Sequence, residues 1–197
     1  MPSAMMDRSA LQDDVLLELV RNRVKEDGAG LYGFGVIELR GPRGGLKKRI
    51  HFVNLITDAG DLYYATRGVA GVSPAAPSDA TKVTGMKLGT GTTAVAKSGA
   101  GAALVTYLSA SNQAFDATWP KTTNLGGGLG VTAEYRVLFA AGTATNAALT
   151  EAVIVNDAAT NATSTAANTI SRIVFTAINK GALDTLTITW SHKFLGV

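Results

Sequence analysis

The chain has 197 residues, of which 46% are hydrophobic and only 17% charged, with a net charge of +3 and no cysteine. This length suffices for one sizeable domain, and the lack of cysteine excludes disulfides and thiolate metal sites. No apolar run reaches the about eighteen residues that a membrane-spanning helix needs. The first residues, MPSAMMDRSA, lack the basic start and apolar core of a signal peptide. We therefore expect a protein that is made in the cytoplasm and kept or assembled there, without a membrane partner.

The surface is predicted to be poor in charge. Charged residues usually make up about a quarter of a soluble domain, and here Thr, Ala, Gly, Ser and Asn take their place. Small uncharged side chains lose little conformational entropy when an interface orders them. The composition favours a component of a large assembly, with a plain β-rich domain as the alternative.

An amphipathic helix is predicted over residues 10–26. Ser9 and Gln12 have the spacing of a capping box, and Gly28 is a typical helix stop. Residues 1–28 are thus interpreted as an arm with a helix, and residues 29–197 as a β-domain. The apolar stripe of the helix packs either on its own domain or on a neighbouring subunit, and it consists of Leu11, Val15, Leu16, Leu19, Val20 and Val24.

A β-hairpin with a basic cluster is predicted next. The strands are 32–40 and 47–55, and the glycine-rich segment 41–45 is the turn between them. The cluster is either a solvated hairpin loop or a contact with an acidic partner; nucleic acid is disfavoured, because no nucleic-acid-binding module accompanies it. Its members are Arg40, Arg43, Lys47, Lys48 and Arg49.

The middle of the chain is predicted to contain a second hairpin. Residues 131–141 alternate between apolar and polar positions as a half-buried strand does, and residues 148–156 are expected to pair with them. Segment 61–67 is either helical or extended. The Gly-Thr-Gly-Thr run at 89–92 is interpreted as a strand-ending turn rather than a phosphate loop, because no Gly-Lys-Ser/Thr follows it. Residues 115–130 are expected to be a loop, and residues 157–169 an exposed excursion.

The last quarter of the chain has the clearest strand pattern. Leu186, Ile188, Trp190, His192 and Phe194 alternate with Thr and Ser residues. We expect this strand to pair with 172–177 through a turn at 179–181. Seven or eight short strands in all predict a mainly β fold, an antiparallel β-sandwich or jelly-roll-like barrel with one N-terminal α-helix. The predicted core contains Trp190, Ile188, Phe175, Phe139, Tyr135 and Val137.

No catalytic set is evident in the sequence. His51 and His192 lack metal-ligand spacing, and no serine lies in a nucleophile elbow. Glu134 and Glu151 are the least implausible acid/base pair, because they lie on the two strands of the predicted middle hairpin; an ordinary cross-strand ion pair is the preferred interpretation. We therefore expect no enzyme activity, no cofactor, no metal and no small-molecule substrate.

Three ordered segments resemble the structural proteins of tailed-bacteriophage virions. The likeness spans roughly residues 32–195, and each motif is short. The segments are Asn54-Leu55-Ile56-Thr57-Asp58-Ala59-Gly60, similar to N-x-I-T-x-x-G; Met86 to Ala94, similar to L-G-T-G-T-T; and Thr150 to Ile154 with Arg172 to Phe175 and Lys180 to Trp190, similar to I-x-E-x-x-I/L-F … R-x-x-F … K … L-x-I-x-W.

The resemblance implies a non-enzymatic β-sandwich that oligomerises and binds a larger shell or tube in the virion. Capsid decoration (cement) is the favoured role, as a homotrimer on the major capsid protein. Neck, tail and fibre components are the alternatives, as is a carbohydrate-binding fibre module that would use Trp119 and Tyr107. The helix 10–26 would clamp onto a neighbour or the coat, and the expected partner-binding residues are Leu11, Val15, Leu19, Arg43, Lys47 and Lys48.

Overall fold

The computed structural model describes residues 31–69, 81–127 and 129–194. The predicted helix 10–26, and with it Leu11, Val15 and Leu19, lies outside the described residues. The described part is mainly β, as the sequence predicts. It contains nine antiparallel strands in one curled sheet and one α-helix.

The strands follow the sheet order β4-β3-β7-β8-β2-β1-β9-β6-β5. Helix α1 is Asp58–Val69, and two short 3-10 turns cover Gly99–Ala102 and Ala166–Asn168. The strands are β1 Leu31–Arg40, β2 Leu46–Ile56, β3 Gly85–Gly89, β4 Gln113–Ala114, β5 Lys121–Asn124, β6 Val131–Phe139, β7 Asn146–Val155, β8 Thr169–Lys180 and β9 Thr185–Phe194.

Strands β1 and β2 form the predicted hairpin. Their register runs from Gly33 opposite Asn54 to Arg40 opposite Leu46, with one irregularity near the turn. At its far end β2 also pairs with β8, through Leu55 and Ile56 only. This short pairing joins the group β2-β1-β9-β6-β5 to the group β4-β3-β7-β8.

The second predicted hairpin, between 131–141 and 148–156, is wrong as a pairing. Both strands exist as β6 and β7, but β6 lies between β9 and β5, whereas β7 lies between β3 and β8. The connection from Phe139 to Asn146 therefore crosses from one group of strands to the other. Both strands have an apolar inward face, and such faces can pack across a core as well as side by side.

The predicted C-terminal hairpin is wrong for the same reason. Strand β8 pairs with β7 and β2, whereas β9 pairs with β1 and β6. The two crossing connections meet, because the Gly142 amide donates to the Ala182 carbonyl at 2.7 Å. The buried Lys180 ammonium donates to the carbonyls of Ala140 and Asp184, at 2.9 and 2.8 Å. Lys180 thus secures both crossings.

One main core is lined by strands from both groups. All six predicted core residues are buried, from Val137, Phe139, Ile188 and Trp190 at 0% exposure to Phe175 at 9%. The ring of Phe52 lies 5.0 Å from that of Trp190, in an edge-on arrangement that aromatic pairs favour. The alternation that predicts strand β9 is therefore the alternation between core and outer face.

Segment 61–67, for which the sequence leaves helix and strand open, belongs to helix α1. Thr57 caps this helix, because the Gly60 amide donates to its hydroxyl at 3.1 Å, as at a typical N-cap. A Cβ atom at Gly60 would lie 2.2 Å from the Ile170 carbonyl oxygen. The glycine therefore allows the helix to approach β8 closely.

Two segments differ from the predicted loops. Residues 115–130 include the edge strand β5, which is only four residues long and has no large apolar residue to give it an alternating pattern. Of the excursion predicted over 157–169, residues 157–168 are mostly exposed, whereas Thr169 is buried at the start of β8. Polar contacts hold the exposed part in place. Asp157 lies 3.2 Å from the buried Lys87 ammonium and accepts from Ser164 at 2.6 Å.

Candidate functional site

The basic hairpin is the described part of the predicted partner-binding set. Lys47 pairs with Asp184 at 2.8 Å, and Lys48 donates to the Ala177 carbonyl at 2.9 Å. Arg43 is exposed at the tip of the hairpin, and the contacts seen within the described ranges include none for its guanidinium. The structure brings these three residues to one end of the sheet, with Arg43 outermost.

The two remaining basic residues of the hairpin share one carboxylate. Arg49 and Arg40 contact Glu38 at 2.6 and 3.0 Å. Partial burial alone would raise the pKa of Glu38, but the hydrogen bonds from Arg49 and Arg40 outweigh it and lower that pKa. The hairpin thus neutralises part of its own charge, whereas Arg43, exposed at the tip, has no such carboxylate partner among the described contacts.

Glu134 and Glu151, the least implausible acid/base pair, do not face each other. Glu134 lies on β6 and is 3.4 Å from the Lys121 ammonium. Glu151 lies on β7, in the other group of strands, and is fully buried. The expected pair depended on the β6–β7 hairpin, which does not form. The ordinary cross-strand ion pair is found instead at Glu134, with Lys121 as its partner.

Glu151 forms a buried ion pair with Arg172 that the sequence analysis missed. The Arg172 guanidinium donates to Glu151 Oε2 through Nε at 3.1 Å and through a terminal nitrogen at 2.8 Å. The other terminal nitrogen donates to the carbonyls of Thr93 and Gly101, at 2.9 and 3.1 Å. The side chains are 0% and 1% exposed. Such full pairing is what makes a buried charge pair tolerable.

The Gly-Thr-Gly-Thr turn closes around the same carboxylate. Glu151 accepts from the amides of Gly91, Thr106 and Val105, at 2.9, 2.7 and 3.2 Å. Successive amides aimed at one point are a typical anion-binding arrangement. Here the anion is the protein's own Glu151, so these amides hold the loop 90–107 rather than a phosphate.

A second polar link crosses the core between Trp190 and Asn54. The indole N–H donates to Asn54 Oδ1 at 2.7 Å. The amide nitrogen of Asn54 contacts the Ser171 hydroxyl, which donates to the Leu55 carbonyl at 3.2 Å. Residues of β2, β8 and β9 are thereby joined where the two groups of strands meet.

A third buried group lies under helix α1. The Tyr64 hydroxyl is 2.6 Å from both the Tyr135 hydroxyl and His192 Nδ1. Burial raises the pKa of Tyr64 well above its usual range, and raises that of Tyr135 to about 12. Burial lowers the pKa of His192 to about 3. At neutral pH the three groups are therefore uncharged, and His192 Nε2 has no hydrogen-bond partner in the described part of the chain.

Trp119 and Tyr107, the candidates for carbohydrate binding, lie in different connections: Tyr107 between β3 and β4, and Trp119 between β4 and β5. The ammonium of Lys121 lies 4.2 Å from the centre of the Trp119 ring, a cation–π contact that occupies one ring face. The Tyr107 hydroxyl contacts the side chains of Asn112 and Asn161, at 3.0 and 2.7 Å. Both aromatic residues thus have contacts within the protein.

The described residues include no group of three or more His, Asp or Glu side chains placed to bind a metal ion. The described helix is too short to cross a membrane.

Parity predicts that Trp190 and His192 point inward, but it does not predict their partners. Buried charges such as Lys87, Arg172 and Lys180 have no local signal at all, because a charged residue in a strand normally predicts solvent exposure.

Comparison with protein-family models, with curated proteins and with solved structures finds no match to this chain.

Proposed function

We propose that this chain is a non-enzymatic structural component of a bacteriophage virion, and that it decorates the capsid as a homotrimer bound to the major capsid protein. In this proposal the two groups of strands are the layers of a β-sandwich or jelly-roll-like barrel. The protein would assemble in the host cytoplasm and remain on the virion. Neck, tail and fibre positions are the alternatives, and the solution mass distinguishes a neck or tail ring from capsid decoration.

The observation that carries the proposal is where the resembling motifs fall in the fold. Several of their polar residues form buried links in the structure. Asn54 of the first motif bonds to Trp190 of the last, and Gly91 of the second bonds to Glu151 of the third. The motif lysine, Lys180, secures the two crossings. The ordered resemblance thus coincides with one set of interlocking contacts, which supports a shared fold and with it a shared role.

The surface supports an assembly role in a second way. Large apolar side chains are exposed at several places, including Leu62 at 68%, Leu183 at 69% and Leu129 at 50%. With charged residues at only 17% of the chain, little desolvation of charge opposes burial of such surfaces against other subunits.

The proposed contact with the coat is the basic hairpin, through Arg43, Lys47 and Lys48. Arg43 is the outermost, and a guanidinium binds carboxylates through paired hydrogen bonds. Charge reversal by Arg43→Glu should weaken cosedimentation with undecorated heads of the phage that encodes the chain. Lys82→Glu is the matched control, because Lys82 is also exposed but precedes β3 at a different part of the sheet. Equal weakening by both changes would contradict a contact at the hairpin.

The test of self-assembly is the solution mass of the purified protein, measured by light scattering over a dilution series. A stable trimer is the expected result. A hexameric or dodecameric ring would favour the neck or tail instead of capsid decoration. A monomer at every concentration would contradict the proposed homotrimer.

A further inference from the structure

We infer that the apolar stripe of residues 10–26 packs against the outer face of strands β1 and β2 of the same chain. The receiving surface is an outer apolar patch, made of Tyr32, Phe34, Val36 and Val53. The sequence leaves two partners for the stripe, its own domain and a neighbouring subunit. This inference concerns the first of these and holds whether or not the protein belongs to a virion.

The patch lies on the side of the sheet opposite the core. Ile37 and Leu39 of β1 point inward and are 0% and 3% exposed. Tyr32, Phe34 and Val36 have the opposite parity and are only partly buried. Phe34 stands opposite Val53, which is 42% exposed. The outer face of a solvated antiparallel strand is usually polar, so three adjacent apolar residues on β1 indicate that something covers them.

The chain itself provides the nearest cover. Residue 26 ends the predicted helix and Leu31 begins β1, so residues 27–30 are the only connection. This connection spans at most about 15 Å, and packed layers lie about 10 Å apart. Helix-to-strand connections of this length are common. The connection is long enough to reverse the chain over β1, and it gives the stripe a high effective concentration at the patch.

The spacing of the two elements matches when the helix runs back over β1. Leu19 lies about 10 Å from the end of the helix at a rise of ~1.5 Å per residue. Phe34 lies about 10 Å from the start of β1 at ~3.3 Å per residue. Val15 and Val36 match in the same way, each about 16 Å along its element. Steps of four residues in the stripe thus match steps of two residues in the patch.

The same direction brings opposite charges together. Asp13 and Asp14, in the first turn of the predicted helix, would lie towards the far end of β1. There Arg40 and Arg49 share the single carboxylate of Glu38. Two guanidinium groups at this end of β1 would attract the acidic first turn of the predicted helix.

Engineered cysteines test the inference, because the natural chain has none. Leu19→Cys with Phe34→Cys should form a disulfide within one chain under mild oxidation. Arg21→Cys with Phe34→Cys is the matched control, since position 21 would be about 200° from position 19 around the predicted helix. We expect the control to react at least about tenfold more slowly, because only the first pair shares an interface.

Non-reducing mass spectrometry separates the outcomes. Cross-linked single chains from the first pair would support the inference. Cross-linked pairs of chains would overturn it in favour of a neighbouring subunit. Leu19→Cys with Val53→Cys tests a second position, on the adjacent strand. The inference would also be overturned if neither this pair nor the first pair formed a cross-link. Equal cross-linking rates for these pairs and for the control pair would overturn it too. Circular dichroism of each variant verifies that the sheet has formed.

Discussion

Glu151 and Arg172 face each other in the interior, one on β7 and the other on β8, with their closest atoms 2.8 Å apart. Each charge also holds the loop that follows β3. The carboxylate accepts hydrogen bonds from the amides of Gly91, Val105 and Thr106, and the guanidinium donates to the carbonyls of Thr93 and Gly101. The pair therefore connects strand pairing to the long loop after β3, and its removal should affect both.

Replacing Glu151 by Gln should destabilise the fold strongly. The change leaves the Arg172 charge buried without its counter-charge, which costs about 3–5 kcal/mol. Glu134→Gln is the matched control, because it removes the other expected acid. Glu134 pairs on the outer face with a half-exposed lysine. Its replacement should therefore lower the free energy of unfolding by less than about 1 kcal/mol. Urea unfolding measures both; equal losses would contradict a special role for the buried pair.

Gly91→Ala should also destabilise, for a steric reason. A Cβ at this position would lie 2.5 Å from Glu151 Oε1 and 2.9 Å from the Val105 side chain. Overpacking of this kind costs about 1–3 kcal/mol. Gly45→Ala meets nothing within 4 Å, so its free energy of unfolding should stay within about 0.5 kcal/mol of the natural chain. A neutral Gly91→Ala would show that the loop is not held by the carboxylate.

The link between Asn54 and Trp190 should appear as a coupling energy. Asn54→Ala leaves the buried indole N–H without an acceptor, and Trp190→Phe leaves the amide oxygen without its donor, each costing about 1–3 kcal/mol. The double variant should cost less than the sum of the two, by about 0.5–3 kcal/mol. Thermal or urea unfolding of the four proteins gives this value, and strict additivity would contradict the hydrogen bond.

His192 should make the protein less stable in mild acid. Its pKa is lowered to about 3 in the folded protein, against 6.5 for an ordinary histidine, because burial disfavours the cation. Between these values the unfolded chain binds a proton that the folded chain does not. The stability from the neutral ring is therefore complete above pH 6.5, and it falls as the pH drops towards 3, by up to about 1.4 kcal/mol per pH unit.

Unfolding at pH 7 and pH 5 measures this effect. His192→Gln should reduce the difference between the two pH values, whatever its effect on stability at pH 7. In His51→Gln the difference should persist, because His192 remains in place. An unchanged pH dependence in His192→Gln would show that other groups cause the acid sensitivity.

Much of the fold was predictable because strand patterns are local. Alternation along β9 predicts which residues enter the core, and the buried Leu186, Ile188 and Trp190 confirm it. The β1–β2 hairpin was predictable because a glycine-rich turn joins two adjacent strands. A period of two residues records which face is buried, and this requires no knowledge of the rest of the molecule.

The pairing of β6 to β9 and the buried polar links were decided only by the tertiary structure. A short connection after β6 or β8 is compatible with a hairpin or with a crossing to the opposite group of strands, and the choice depends on how whole faces pack. Glu151 and Arg172 are tolerable in the interior only because each finds the other, across a strand pairing that their local sequence does not encode. Local patterns thus specify most of the strands and their inward faces, whereas the neighbours of each strand depend on the whole fold, because pairing energy comes from residues distant in the chain.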